Sequence, residues 1–343
     1  MPDDKSLMTS TGPKKAMAGE AALQKHAPGF SRDVSLNFSV AKVIAIFTVV
    51  AGHWFAGTIL WIPVTFGLFV FAFSSAYFTS RIYGVKIDNK RFWQKKLERL
   101  GLRFWIILSF LTILLAFEGR PVFNWYTLIH FMGLSGVLNW LAIPNRSALG
   151  AGLWFFTLLL IFYLTYPYLA RLNQSKTVAG WVALAATISA IFLQEKINVG
   201  HELWLTSLGF ILGVAYGLQE PRFGPRSTFA LAVLSCACLL GINLFSSYKQ
   251  FNTALIATTS IAISLWLSKA ALPQWRILKE LAKLEKYLLE IFVIHTYLFV
   301  RPSGNSVLDF AVSVLLIVMV AMALGHVIAW LSSLIFVRSQ ARI

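Results

Sequence analysis

Long apolar runs constrain this chain more than any other feature of its sequence. A helix that crosses a membrane needs roughly 20 apolar residues, and about ten runs approach that length. Hydrophobic residues make up 57% of the sequence and charged residues only 13%, which excludes a soluble globular domain. The sequence therefore predicts an all-α, polytopic membrane helical bundle with about ten transmembrane helices, at approximately 38–60, 64–83, 103–118, 149–171, 177–194, 203–219, 226–245, 250–270, 286–301 and 306–336.

An eleventh apolar stretch, residues 125–143, is interrupted by polar residues. It contains His130, Asn139 and two glycines, and it ends at Pro144. This stretch is therefore interpreted as a re-entrant or interfacial segment, and crossing of the membrane stays open as the alternative.

The distribution of Lys and Arg predicts the orientation of the bundle. With ten spans both termini lie on one side, and a cytoplasmic N-terminus leaves 24 of the 30 Lys and Arg inside and Lys42 within the membrane. The five that fall outside are Arg120, Arg146, Lys196, Lys249 and Arg301. Both termini are therefore predicted to be cytoplasmic. The net charge of +16 is dispersed among loops instead of forming one patch, so nucleic acid is not an expected partner.

Polar segments flank the apolar region. Residues 1–35 are basic and contain no apolar core before a small-residue cleavage site, which predicts a disordered cytoplasmic tail and not a signal peptide. Residues 36–337 form the predicted membrane domain, and residues 338–343 a short cytoplasmic tail. The two cysteines, Cys236 and Cys238, share one apolar run, and no histidines have metal-ligand spacing, so neither a disulfide framework nor a metal site is predicted.

Two ionisable residues lie inside the first apolar run. Lys42 and His53 are eleven residues apart, so a helix places them on one face, about 16 Å apart along its axis. Ionisable residues within spanning helices usually face a polar cavity and mark a functional path. Two structural alternatives stay open, because Lys42 could snorkel to the headgroups and His53 could simply hydrogen-bond to a neighbouring helix.

Five ordered sequence stretches carry a resemblance to a known family. They are KVIAIFTVVAGH, FGLFVFAFSSAYF, FWQKKLERL, LWFFTLLLIFYLTYP and LLEIFVIHTYLF. In that order they resemble the Arg-x10-His first helix, the FF-x-LSGF second helix, the basic FxxRRxxRI loop, the helix that ends in FYLLYP, and the SYxIYLIH helix of the acyltransferase 3 family. The resemblance covers roughly residues 37–300.

The resemblance implies catalytic and donor-binding residues. His53 occupies the histidine position of the first signature and Lys42 its arginine position, so both are expected to be catalytic, with His53 as base or nucleophile. The basic loop supplies Lys95, Lys96 and Arg99 as candidates to bind the phosphates of the donor. The alternative, that the positive charges of this loop only set the orientation of the protein in the membrane, stays open.

Four further residues are candidates to line a cavity. They are Ser74 and Trp154, in the second and fourth stretches, and Glu290 and His295, in the fifth. For Ser74, close helix packing is the alternative. For Trp154 a place in the aromatic belt at the membrane interface is the alternative. Glu290 and His295 are about 140° apart around a helix, so they are not expected to share a narrow face, and a boundary glutamate and a satisfied core histidine stay open as alternatives.

The activity implied by the resemblance is that of a membrane-embedded O-acyltransferase. Such an enzyme moves an acyl group, acetyl being the expected one, from a cytoplasmic acyl-CoA to a hydroxyl of an extracytoplasmic or lipid-linked glycan. Acyl-CoA is then a co-substrate, and no bound cofactor is expected. Expected partners are the glycan or saccharide acceptor, membrane lipids and polysaccharide-synthesis machinery, in the bacterial cytoplasmic (inner) membrane. A saccharide exporter or flippase without acyl-transfer activity is the main alternative, and a structural subunit of a synthase complex is the third.

Overall fold

Helices are the only regular secondary structure in the computed structural model, which describes residues 32–340 apart from 198, 201, 222 and 247. This finding confirms the predicted all-α fold. The helices are α1 Arg32–Trp54, α2 Trp61–Tyr83, α3 Asn89–Phe117, α4 Trp125–Phe131, α5 Ser135–Trp140, α6 Trp154–Leu172, α7 Lys176–Lys196, α8 Leu203–Gln219, α9 Pro225–Phe245, α10 Asn252–Leu267, α11 Arg276–Ala282, α12 Leu288–Ile294 and α13 Ser306–Gln340. Short 3-10 turns lie at Lys249–Phe251, Lys283–Tyr287 and His295–Tyr297.

Seven helices in the described part of the chain are long and apolar enough to cross a membrane. They are α1, α2, α3, α6, α7, α9 and α13. Helix α8 is apolar but has 17 residues, and α10, within the predicted span 250–270, has 16. The prediction of a membrane helical bundle is confirmed, while the count of ten and the orientation stay predictions.

The predicted span 286–301 differs from a continuous helix. Its only α-helix is α12, with seven residues between two 3-10 turns. Side chains satisfy backbone carbonyls at both interruptions: Arg103 Nη2 donates to the Lys286 carbonyl oxygen at 2.7 Å, and His295 Nδ1 donates to that of Phe292, also at 2.7 Å. We refer to residues 283–297, which pack against α1, α3 and α13, as the broken segment.

The stretch 125–143 folds into α4 and α5, which have seven and six residues, so neither helix alone is long enough to cross a membrane. His130, at the end of α4, is buried. Its Nδ1 lies 2.8 Å from Ser135 Oγ and its Nε2 lies 3.1 Å from Asn145 Oδ1. Burial lowers the pKa of the His130 imidazole, and the hydrogen bond to Asn145 partly offsets this effect. These bonds fix the loop that follows α5.

Glycines on α8 allow it to pack closely against α2. A Cβ atom added at Gly209 would lie 2.7 Å from the carbonyl oxygen of Phe69, and one at Gly217 would lie 2.9 Å from that of Tyr77. Small residues at such spacing let helix backbones approach each other in a membrane. Helix α2 therefore lies between α8 and α1, and α1 in turn packs against the broken segment.

The predicted terminal tails are only partly covered by the structure. Residues 1–31 and 341–343 lie outside the described residues, so the predictions for them stay predictions. Residues 32–35, assigned to the N-terminal tail from the sequence, belong to α1, and residues 338–340 belong to α13. Helical structure therefore extends a few residues beyond the predicted membrane domain at both ends.

A reporter fused after Arg342 tests the predicted orientation. We expect a cytoplasm-dependent reporter to be active there, because 24 of the 30 Lys and Arg then lie on the inside. Activity of a periplasm-dependent reporter at the same position would instead show that the number of spans is odd or that the N-terminus lies outside.

Candidate active site

Lys42 and His53 both contact the broken segment. Lys42 Nζ forms an ion pair with Glu285 Oε1, and the ring centroid of His53 lies 5.0 Å from that of His295. Lys42 and His53 are eleven residues apart on α1, and their partners Glu285 and His295 are ten residues apart on the broken segment. The two residues therefore share one face of α1, as their spacing predicts, and the broken segment runs parallel to that face.

His53 is the penultimate residue of α1, about 32 Å along the helix axis from Arg32. Its side chain is exposed and makes no hydrogen bond to another described residue. Its ring packs against that of His295. An imidazole in this state has both nitrogens available for a substrate.

His295 differs from His53 in being fully buried. Its Nδ1 donates to the carbonyl oxygen of Phe292, so Nδ1 carries the proton and Nε2 of the neutral ring keeps its lone pair. Nε2 is buried and has no hydrogen-bond partner among the described residues. Nine other buried polar side-chain atoms in the described residues also lack a partner, so the contact with the exposed His53 ring is what makes the His53–His295 pair a candidate functional site.

Glu290 faces α3, whereas His295 faces α1, in agreement with their predicted separation around the helix. The Glu290 carboxylate is fully buried, and its Oε1 accepts from Arg103 Nε at 3.1 Å and from Nη2 at 2.7 Å. Its Oε2 has no partner among the described residues. Arg103 and Glu290 therefore attach the middle of the broken segment to α3.

The three basic candidates for donor binding are not equivalent. Lys95 and Arg99 are exposed on α3. Lys96 points into the bundle, where its Nζ lies 4.2 Å from the ring centroid of Tyr163, contacts two further aromatic rings and donates to Thr79 Oγ1 at 3.3 Å. Lys95 and Arg99 are therefore accessible from solution, whereas Lys96 is enclosed by aromatic rings.

Two cavity candidates lie in the packed core. Ser74 is fully buried and its hydroxyl donates to the carbonyl oxygen of Phe71 in its own helix at 3.0 Å, which favours the packing alternative. The neighbouring Ser75 hydroxyl lies 2.9 Å from that of Tyr163. Trp154 is the first residue of α6 and is buried. The structure thus brings together Lys42, His53, Glu290 and His295 along the broken segment.

Glu285 and Arg103 are the residues that sequence reasoning missed. Glu285 Oε2 also accepts from Ser39 Oγ, so this carboxylate binds two positions on α1. A cation within an apolar run requires a counter-charge, so Lys42 indicates that a carboxylate lies nearby but does not show which one. Nothing in the local sequence identifies a partner 243 residues away.

The comparisons with known proteins agree with the resemblance in the sequence. The family model of the acyltransferase domain, acyltransferase 3, matches residues 36–334. No curated protein and no solved structure gives a significant match. The matched region includes α1 with Lys42 and His53, the basic start of α3 and the whole broken segment. The chain belongs to the acyltransferase 3 family.

Proposed function

We propose that this protein is an O-acyltransferase that moves an acyl group, acetyl as the first candidate, from a cytoplasmic acyl-CoA to a hydroxyl of an extracytoplasmic or lipid-linked glycan. Family membership supports acyl transfer, and seven apolar helices support a multi-pass membrane location. The observation that carries the proposal is the exposed imidazole of His53 at the end of α1, beside the buried His295. The proposed membrane is the bacterial inner membrane, next to polysaccharide-synthesis machinery.

The proposed chemistry needs only an imidazole and the two substrates. His53 accepts the proton of the acceptor hydroxyl, whose oxygen forms a bond to the carbonyl carbon of the thioester. The carbon–sulfur bond breaks, and CoA leaves as a thiol after taking the proton from the imidazolium. In the second possible order, His53 first takes the acyl group as a nucleophile and then passes it to the hydroxyl. Incubation with labelled acyl-CoA and no acceptor separates the two orders, because only the second labels the protein.

His295 is proposed to position His53. Its buried ring is oriented by the Nδ1–H bond to Phe292 and packs against one side of the His53 ring. The ion pairs of Glu285 with Lys42 and of Glu290 with Arg103 hold the broken segment that carries it. A positioned base is more effective than a mobile one because the reacting atoms start close to their transition-state geometry.

Lys42 variants test the attachment of the broken segment to α1. Lys42→Arg is expected to retain activity, since arginine keeps the charge opposite Glu285 and is the residue that the family signature carries there. Lys42→Ala removes the counter-charge, and we expect a rate about tenfold to a hundredfold lower because the segment shifts relative to His53. Initial rates of acyl transfer measure the effect.

A charge swap is the matched control for this prediction. Lys42→Glu combined with Glu285→Lys restores an ion pair and should recover activity lost in Lys42→Glu alone. A wild-type rate for Lys42→Ala would contradict the positioning role.

Lys95 and Arg99 are proposed to attract the phosphates of acyl-CoA. Replacing both by Gln should raise the Michaelis constant for acyl-CoA about tenfold and leave turnover near the wild-type value, because the lost attraction acts on binding alone. The matched control is Arg276→Gln with Lys279→Gln, which removes the same charge from exposed positions on α11. An equal rise of the constant in both double variants would indicate a non-specific charge effect.

Glycan analysis by mass spectrometry, on cells with and without the gene, tests the proposed function. We expect acyl esters on a surface or lipid-linked glycan only in cells that contain the gene. Identical glycan acylation in the two cell types would contradict the proposal.

A further inference from the structure

A row of aromatic rings leads away from the His53–His295 pair. The ring of His295 lies 6.1 Å from that of Phe299, and Phe299 lies 5.2 Å from Trp54 in an edge-on arrangement. Trp54 also follows His53 directly in the sequence. The indole of Trp54 is therefore connected to the candidate site both through the chain and through packed rings.

The indole ring of Trp54 has a fixed orientation and carries a cation on its face. Its Nε1 donates to Ser306 Oγ at 3.1 Å, and its ring packs against Phe310 at a centroid distance of 6.0 Å. The guanidinium carbon of Arg301 lies 5.3 Å from the ring centroid of Trp54. A guanidinium stacked on an indole keeps its N–H donors free to bind another group, because stacking uses only its planar face.

Arg301 has no ion-pair partner in the described part of the chain, and its side chain is exposed. The nearby carboxylate of Asp309 is buried and attracts Arg301 electrostatically without forming an ion pair with it, because its Oδ1 accepts from the backbone N–H and the hydroxyl of Ser303, at 2.8 and 2.7 Å. By contrast, the exposed Arg120 lies 3.8 Å from a carboxylate oxygen of Glu118. Arg301 thus presents an exposed planar cation, with no ion pair in the described part of the chain, next to the candidate site.

A planar cation held on an indole matches one class of saccharide. Because the Trp54 ring carries Arg301 on its face, its role is to orient the guanidinium, which binds carboxylate or phosphate through paired N–H donors. We infer that Trp54 and Arg301 form an acceptor subsite, and that the acceptor carries an anionic group, a carboxylate or a phosphate, close to the hydroxyl that is acylated. This inference rests on the proposed function, because it assumes that His53 acts on a glycan.

Binding of matched saccharide pairs to the full-length protein in phosphatidylcholine nanodiscs tests the inference. The pairs are methyl glucuronoside with methyl glucoside, for the carboxylate, and glucose 1-phosphate with glucose, for the phosphate. We expect at least one anionic sugar to bind about tenfold more tightly than its neutral counterpart, the size of one charge-assisted contact. The pair that shows the preference identifies the anion.

Variants of Arg301 attribute the preference to this side chain. Arg301→Gln should reduce the anionic preference to within about twofold, and Arg301→Lys should keep part of it because the charge stays while the fork is lost. Arg146→Gln is the matched control, since Arg146 is an exposed arginine in another loop and should leave the preference unchanged. Size-exclusion profiles that match the wild type confirm that the variants are folded.

Two results would overturn the inference: equal binding within both sugar pairs, or an anionic preference that survives Arg301→Gln. These results are distinct from failure of the proposed function. A wild-type protein that prefers anionic sugars but transfers no acyl group would contradict the proposed function, whereas an active protein without any anionic preference would contradict only the acceptor subsite.

Discussion

Replacing His53 by alanine is expected to lower the rate of acyl transfer at least about a hundredfold, the usual contribution of a positioned acid–base group. The substitution should leave the amount of folded, inserted protein near the wild-type value, because the side chain is exposed and makes no hydrogen bond to another described residue. Initial rates with labelled acetyl-CoA, together with size-exclusion profiles of the purified protein, measure the two quantities separately.

His326→Ala is the matched control for this substitution. His326 is also an exposed histidine in a long apolar helix, α13, and its Nδ1 bonds only within that helix, to the carbonyl oxygen of Met322. Its removal should leave the rate unchanged. If the His53→Ala protein is folded and still acylates its acceptor at close to the wild-type rate, the mechanism is wrong, and Glu290 or His295 becomes the next candidate.

Replacing Arg103 by methionine is expected to destabilise the protein by about 3–5 kcal/mol, the cost of leaving a buried charge without its partner. Glu290 is fully buried, its Oε1 accepts from Nε and Nη2 of Arg103, and its Oε2 has no partner among the described residues. Loss of the guanidinium also frees the carbonyl oxygen of Lys286. Unfolding in denaturant, followed in detergent, measures the change in the free energy of unfolding.

A second substitution at Glu290 separates the unpaired charge from a loss of packing. In the Arg103→Met background, Glu290→Leu removes the buried carboxylate and should recover most of the lost stability, because an apolar pair can replace a buried ion pair at little cost. Arg91→Met, at an exposed position on α3, should change stability little. A double variant as unstable as Arg103→Met alone would show that Glu290 is not the cause.

The sequence was sufficient to predict those parts of the site that depend on local helix geometry. Lys42 and His53 share a face because the rotation per residue is fixed wherever the chain is helical. The same rotation separates Lys96 from Lys95 and Arg99, which lie only about 40° apart from each other. Spacing alone therefore distinguishes Lys96 from Lys95 and Arg99, although one basic motif contains all three cations.

The sequence does not predict contacts between distant parts of the chain. The stretch 286–301 has the apolar composition of a membrane span. Its first interruption depends on a hydrogen bond from Arg103 to the Lys286 carbonyl oxygen, which the local sequence does not reveal. The apposition of His53 and His295, 242 residues apart, depends in the same way on how α1 and the broken segment pack. Apolar composition indicates that a residue is buried but does not specify its neighbour.

In the proposed reaction, transfer of an acyl group from acyl-CoA to a glycan hydroxyl depends on His53. Purified protein in proteoliposomes, supplied with radiolabelled acetyl-CoA and a glycan fraction from the source cells, tests it directly. With wild-type protein we expect label on the glycan, attached as an ester that mild alkali removes. With His53→Ala we expect no label on the glycan. Movement of the glycan across the membrane by active wild-type protein, with no label attached to it, would contradict the claim and favour the exporter alternative.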